Sequence, residues 1–177
     1  MKKFCQIIRN RSEENDKAMK LLIENQLYGK VVESLRTELD SFVRVVYLMH
    51  QNRSDRNRLV TEFMQCKKWN GVTDRKMVNL SSKKLFGWEE YVYNIGCGFI
   101  HLSAMHNYNS ENPFDFVPDE DKEYIKTYLN SYYKFPLEED LNMTTIIPYL
   151  YKVFSKIRSN LLLQVEKLEK NKETYTF

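Results

Sequence analysis

WEEYVYNIGCGFIHLSAMHNY, residues 88–108, reads as one helix with two different faces. At roughly 100° per residue, Trp88, Tyr91, Val92, Ile95, Phe99 and Leu102 fall on a single broad apolar side, which must be core. Glu90, Asn94, Cys97, His101 and Tyr108 gather on a second side, about a third of a turn or more away. That polar flank is the candidate site. Three glycines, Gly87, Gly96 and Gly98, weaken a helix unless another backbone packs close or a kink is wanted, and the reading here is close packing near Gly96 and Gly98.

Such a helix needs partners, and the cleanest lies upstream. Residues 30–50 carry a seam of Val32, Leu35, Leu39, Phe42, Val46 and Met49 at the spacing of a bundle helix. Arg36, Asp40 and Arg44 run along its outside at four-residue intervals, where they can pair. Its second half, FVRVVYLM, is apolar nearly all round, so neighbours must cover it on two sides. Arg44 is the one charge in that run, and its guanidinium must reach water, a carboxylate or a phosphate. A helix over residues 12–27 precedes it, with Asn10 or Ser12 as cap and a bend or short break at Tyr28 and Gly29. A third helix begins after QNRSD, capped by Ser54 or Asp55 and burying Leu59, Val60, Phe63 and Met64. Arg53, Arg56, Arg58, Lys67 and Lys68 make that segment the most basic in the chain, and with His50 beside it, it is a candidate phosphate-contacting patch.

Residues 68–84 form a mixed connector, with a turn at Asn70 and Gly71, a short helix over 75–78 capped by Thr73, and Ser81 or Ser82 as cap for the helix of residues 88–108. Residues 107–118 are a loop by composition, yet Phe114, Phe116 and Val117 should fold back on the bundle rather than stand in water. Pro118 with Asp119, Glu120 and Asp121 after it starts a helix reaching about residue 133 and burying Ile125, Leu129 and Tyr132. The last helix begins near Thr145, takes Pro148 in its first turn and continues to Leu168, leaving a charged, frayed tail at 171–177. Strict apolar–polar alternation is sustained nowhere, and no repeat of fixed period occurs. The expected fold is all-α: one domain over residues 1–177, its core at about 12–170, a bundle of five to six main helices.

With 42% hydrophobic and 14% aromatic residues, a chain of 177 has ample material for such a core. Its 27 basic against 24 acidic side chains give +3, so contact with nucleic acid must come from a local patch and not from the net field. Cys5, Cys66 and Cys97 are widely spaced and show no ligand motif, which suggests reduced thiols. The first residues lack the apolar region of a signal peptide, and no run approaches membrane-spanning length. The expectation is a cytoplasmic protein without membrane contact.

The chemistry-bearing patterns are mostly negative. A carboxylate-bridged metal site wants Glu-x-x-His on two helices, but Tyr47, Gly98 and Ser103 stand three before His50, His101 and His106. Cys97 and His101 are one turn apart, but a helix interior offers no oxyanion hole. No GxSxG elbow or GxxxxGK loop occurs, so no metal and no cofactor is expected. There remains metal-free chemistry on a phosphodiester, which needs a histidine to move a proton and a cation to hold the phosphate. Two placements satisfy it: Arg44 with His50, adjoining Arg53 and Arg56, or His101 with Asn94 and Glu90, served by Arg36 or Arg44.

The stretches ESLRTELDSFVRVVYLM and FIHLSAMHNY, together spanning residues 33–108, resemble an uncharacterised group of bacterial helical proteins related to the HEPN-like superfamily. The resemblance implies a small helical bundle, often a homodimer, that binds RNA. Many such proteins are metal-independent endoribonucleases of toxin–antitoxin or phage-defence systems, with an Arg, four to six residues, then a His as active motif. Arg44-VVYLM-His50 has that spacing; His101 stands where the superfamily histidine falls on the later helix, with Tyr93 and Asn94 in place of the upstream Arg. A different class of reading is a non-catalytic interaction protein that docks a protein partner through the His101 face and the loop carrying Phe114 and Phe116, and a third is a degenerate enzyme fold retained for structure.

Overall fold

The computed structural model describes residues 1–84 and 87–170; the expected frayed tail at 171–177 lies outside the described residues. The described chain is all-helical, with no strand: α1 (Lys2–Glu24), α2 (Tyr28–Met49), α3 (Arg53–Met64), α4 (Asp74–Lys84), α5 (Glu89–Ile100), α6 (Asp119–Tyr133) and α7 (Met143–Glu169). Two single-turn 3-10 helices, Ala104–Asn107 and Pro113–Phe116, fill the α5–α6 connection.

α2 is the axis. Its expected seam is buried, and so are Val43, Val45 and Leu48 on its other sides, because α1, α4, α5 and α7 all pack against it. Each such side chain contributes roughly 1.5–3 kcal/mol of transfer free energy. α7 supplies the longest opposing surface, burying Leu150, Phe154, Ile157, Leu161, Val165 and Leu168. Asn142 starts it with a reciprocal capping box to Thr145. Pro148 is the sixth residue of this helix, a turn later than its sequence suggests.

Several boundaries differ from expectation for identifiable reasons. α1 begins at Lys2, and Phe4, Cys5 and Ile8 are core, so the packed region starts well before residue 12. Phe4 meets Phe63 of α3 edge-on at 4.8 Å. The break after α1 falls at residues 25–27, where Gln26 takes φ 57°. Gly29 lies inside α2 and serves packing, since a Cβ there would stand 3.0 Å from Tyr108 Cε1. Asn52, not Ser54 or Asp55, caps α3, its Oδ1 accepting the Asp55 N–H at 2.9 Å. α4 is far longer than the four residues expected and takes in Ser81 and Ser82 as interior positions.

The largest correction concerns residues 88–108, which are not one rod. α5 stops at Ile100, His101 turns extended at φ −93° and ψ 144°, and the chain folds back. Ser103 drives the reversal: its hydroxyl donates to the Gly98 carbonyl at 2.5 Å and accepts the Met105 N–H at 3.2 Å. Met105 then lies so close to Gly98 that a Cβ there would be 2.2 Å from its sulfur. Gly96 has the opposite neighbour. A Cβ on it would sit 2.6 Å from Arg36 Cβ, so α5 and α2 approach at van der Waals distance only because position 96 lacks a side chain. The close packing expected at Gly96 and Gly98 is therefore observed at both.

α6 is the loosely held element. It buries only Leu129 in full; Ile125 is half-buried and Tyr132 exposed. Phe114 and Val117 of the preceding loop do fold inward, but Phe116 remains 51% exposed. Beneath α6 and this loop run pockets of about 90, 80 and 10 Å³, sharing Ile95 as a wall.

Gly96→Ala is expected to destabilise the bundle by about 1–3 kcal/mol through forced separation of α2 and α5, read as a lower urea midpoint with unchanged slope. Unaltered stability would show that the two helices can part without cost.

Candidate functional site

Arg36 and Arg44, two of the arginines expected to hold a phosphate, converge on carboxylates instead. Asp74, the first residue of α4, lies between two side chains of α2: its Oδ1 accepts from Arg44 Nη2 at 3.0 Å, and its Oδ2 is 3.7 Å from Arg36 Nη2. Arg44 also donates from Nε to Asp40 at 3.0 Å and covers the Trp69 ring, 5.3 Å from its centroid. Arg36 is only 5% exposed, its guanidinium 4.2 Å above the centre of the Tyr93 ring. Burial, first, raises the Tyr93 phenol above its ordinary range, with its neighbour Cys97 adding to the rise, while Arg36 acts the other way. On the far side of Tyr93, Arg75 pairs with Glu90 at 2.9 Å and donates to Asn94 Oδ1 at 2.7 Å. Arg36, Arg44 and Asn94 thus do share one network across α2, α4 and α5, but its charges are matched internally.

His101 is not part of it. It is exposed beyond the end of α5, seven residues and roughly 10 Å along the axis from Asn94. Its carbonyl accepts from His106 Nε2 at 3.2 Å. Because the helix ends before position 101, the common face of Cys97 and His101 does not exist.

The other placement centres on the C-terminal end of α2, where the last four carbonyls of a helix lack intrahelical partners. Here each is met by a side chain. His50 Nδ1 donates to the Val46 carbonyl at 2.9 Å and Gln51 Nε2 to that of Tyr47 at 3.0 Å. Arg56 reaches back from α3 to the carbonyls of Leu48 at 3.1 Å and Met49 at 3.4 Å, and also to Gln51 at 3.1 Å. Arg56 is buried by this, and burial lowers its pKa below the ordinary guanidinium value. It is a helix cap, its donors spent on α2. Arg53, at the start of α3, stays exposed.

Beside that cap lies an open cleft of about 440 Å³, with Tyr47, His50 and Gln51 on one wall and Lys76, Asn79, Leu80 and Lys83 of α4 on the other. Neither Lys76 nor Lys83 forms an ion pair with a described residue, and both are exposed. The two lysines are seven residues apart with Asn79 and Leu80 between, a single helical stripe. Sequence reasoning misses them because it gives α4 only four residues; at its full length the stripe at 76, 79, 80 and 83 is visible. The His50 tautomer is set by the cap: with Nδ1 as donor, Nε2 carries the lone pair, and that atom is enclosed.

No known family model, curated protein or solved structure matches this chain. Among the described residues no group of three or more His, Cys, Asp or Glu is placed to hold a metal ion. No described helix is long and apolar enough to cross a membrane.

A separate buried acid lies at the start of α5. Glu89 is fully enclosed, with Oε1 accepting from the Ser81 hydroxyl at 3.2 Å. Burial raises its pKa above the ordinary 4.5, with hydrogen bonds from its own backbone, Ser81 and Gly87 opposing.

Asp74→Asn removes the carboxylate shared by Arg36 and Arg44 and is expected to cost about 1–3 kcal/mol, checked by denaturant titration. For Glu89 the folded state holds the proton more tightly than the unfolded one, so stability declines as pH rises from 4.5 toward the raised folded value. Glu89→Gln keeps an acceptor for Ser81 and should flatten that decline in a pH series of thermal melts; an unchanged slope would assign it to other groups.

Proposed function

We infer that the protein is a HEPN-like helical domain that binds RNA along the cleft between the C-terminal end of α2 and α4. One observation carries the reading: Lys76 and Lys83 face an open cleft with no acidic partner among the described residues, whereas Arg36, Arg44 and Arg75 are already matched to carboxylates. A phosphodiester entering the cleft meets two unneutralised ammonium groups and an amide from Asn79. Tyr47 also lines the cleft, but it is almost wholly buried, so a base gains little stacking surface from it. The resemblance of residues 33–108 supplies RNA as the phosphate carrier, and with it action in the cytoplasm as a homodimer in a defence or toxin–antitoxin system.

Binding is favoured over cleavage. General-base work on a ribose hydroxyl requires an imidazole nitrogen within hydrogen-bond reach of it, but His50 Nδ1 serves the Val46 carbonyl and Nε2 is enclosed. His101 is exposed but has no guanidinium beside it in the network. A protein-docking role has one observation in its favour: Leu102 is 98% exposed, and Ile100 and Phe116 are about half exposed near the same end of α5. Phe114 has no part in such docking, being 3% exposed under α6.

The test is fluorescence anisotropy with a labelled oligouridylate in EDTA. Lys76→Ala with Lys83→Ala is expected to weaken binding about tenfold and to reduce the slope of log K against log salt by about 1.4, the share of two phosphate contacts on a single strand. Leu102→Ser should leave affinity unchanged. A lysine double variant that binds as well as the parent, or a parent with no salt-dependent binding, removes the RNA reading; loss on Leu102→Ser alone moves function to the apolar end of α5.

A further inference from the structure

The cleft leaves one feature of the molecule unused. The pocket of about 90 Å³ under α6 is walled by α2, α5, α6 and α7 with side chains that are hydrocarbon or ring faces, among them Trp88, Tyr91, Tyr124, Tyr128 and Tyr149. Tyr91 and Tyr124 of its wall stack directly on each other, centroids 4.0 Å apart and 14° from parallel. Protein interiors seldom leave space of this size unfilled, and an apolar cavity of about 150 Å³ is known to stay dry and to accept benzene.

The neighbouring pocket, of about 80 Å³, shares Tyr91, Ile95 and Ile125 with the first, so the two are separated only by aliphatic side chains and one ring. A rotamer change at the shared, half-buried Ile125 would join them into a space that could admit one or two fused rings. The second pocket has a different character. Asn94 and Asp121 stand in its wall, and Asp121, in the first turn of α6, forms no ion pair or hydrogen bond with a described residue. Its charge is felt in the first chamber, where it helps burial raise the Tyr91 phenol.

We propose that the paired pockets under α6 form a binding site for a small uncharged aromatic molecule carrying one N–H or O–H donor, its ring in the tyrosine-lined chamber and its donor on the Asp121 carboxylate. The lining dictates the ring chemistry, because an aromatic ring packs against the tyrosine and tryptophan rings that wall the chamber and no cation stands there to match an anion. Asp121 dictates the donor, being an acceptor-only group when ionised. Access is through α6, whose single fully buried residue makes it the part of the bundle that opens at least cost. The site is independent of the RNA cleft, with which it shares no residue.

Indole and N-methylindole separate the claims in calorimetric titrations of the full chain. Indole is expected to bind saturably, and N-methylindole, with the same rings and no donor, about tenfold more weakly. Asp121→Ala, at a half-buried surface position, should bring indole to the N-methylindole level. Val92→Phe should fill the ring chamber and abolish binding of both; because that variant is the one at risk of misfolding, the Asp121→Ala comparison stands without it. Absence of saturable heat with indole on the parent protein overturns the proposal, as does equal binding of the two indoles with no change in Asp121→Ala.

Discussion

The close approach of α5 to α2 at Gly96 fixes more of this molecule than any other contact. With no side chain at 96, the stem of Arg36 lies directly against the α5 backbone, and its guanidinium can then go only over Tyr93, three residues earlier on the same helix. From there it reaches Asp74, which also holds Arg44 two turns further along α2. A carboxylate at the first position of α4, also favoured there by the helix dipole, ties that helix to α2 at its amino end. The far side of α4 is thereby presented to the C-terminal end of α2, and Lys76 and Lys83 come to face His50. A substitution at a glycine remote from the cleft would thus act on the cleft through one arginine.

Charge in this protein is divided between two uses. Arg36, Arg44, Arg56 and Arg75 are planar multi-donor groups, and each is consumed inside the fold, three by carboxylates and one by carbonyls. Lys76 and Lys83 of α4 are point charges on flexible stems and stay in water. This division reflects the chemistry of the two side chains, since a weakly hydrated guanidinium tolerates burial better than an ammonium and satisfies several acceptors at once. A count of basic residues along the sequence does not separate the two populations; their partners do.

The all-helical fold, the α2 seam and the amino-terminal end of α6 were legible because they rest on local periodicity and capping chemistry. The limits of that reading are equally local. Phe4, Cys5 and Ile8 are too few apolar residues to announce a helix among lysines and arginines, and they become core because α1 packs against α2 and α7, with Phe63 of α3 meeting Phe4 edge-on. Residues 88–108 keep a helical period straight through a point where the chain reverses, since Leu102 has the spacing of a core residue and is in fact in water. The signal for the reversal was Ser103, whose hydroxyl competes for the carbonyl of a glycine five residues back, a contact that periodicity does not register. The site was harder still: Arg44 and His50 satisfy a spacing motif, but which acceptors they face depends on Asp40, Asp74 and the end of α2, which only the fold brings together.

The same end of α2 explains why a histidine can line a cleft without being a catalyst. A helix buried nearly all round cannot leave its last carbonyls to water, so His50, Gln51 and Arg56 must face inward to serve them. Turning the imidazole so that the enclosed Nε2 reaches a ligand would break the Nδ1 bond and uncap Val46, at a cost of about 1–3 kcal/mol for a buried acceptor left unmade. Binding at the lysines requires no such rearrangement, because the α4 stripe plays no part in capping. The burial that makes α2 the axis of the bundle therefore holds His50 to its capping role, while the proposed contact at the lysines leaves that cap intact.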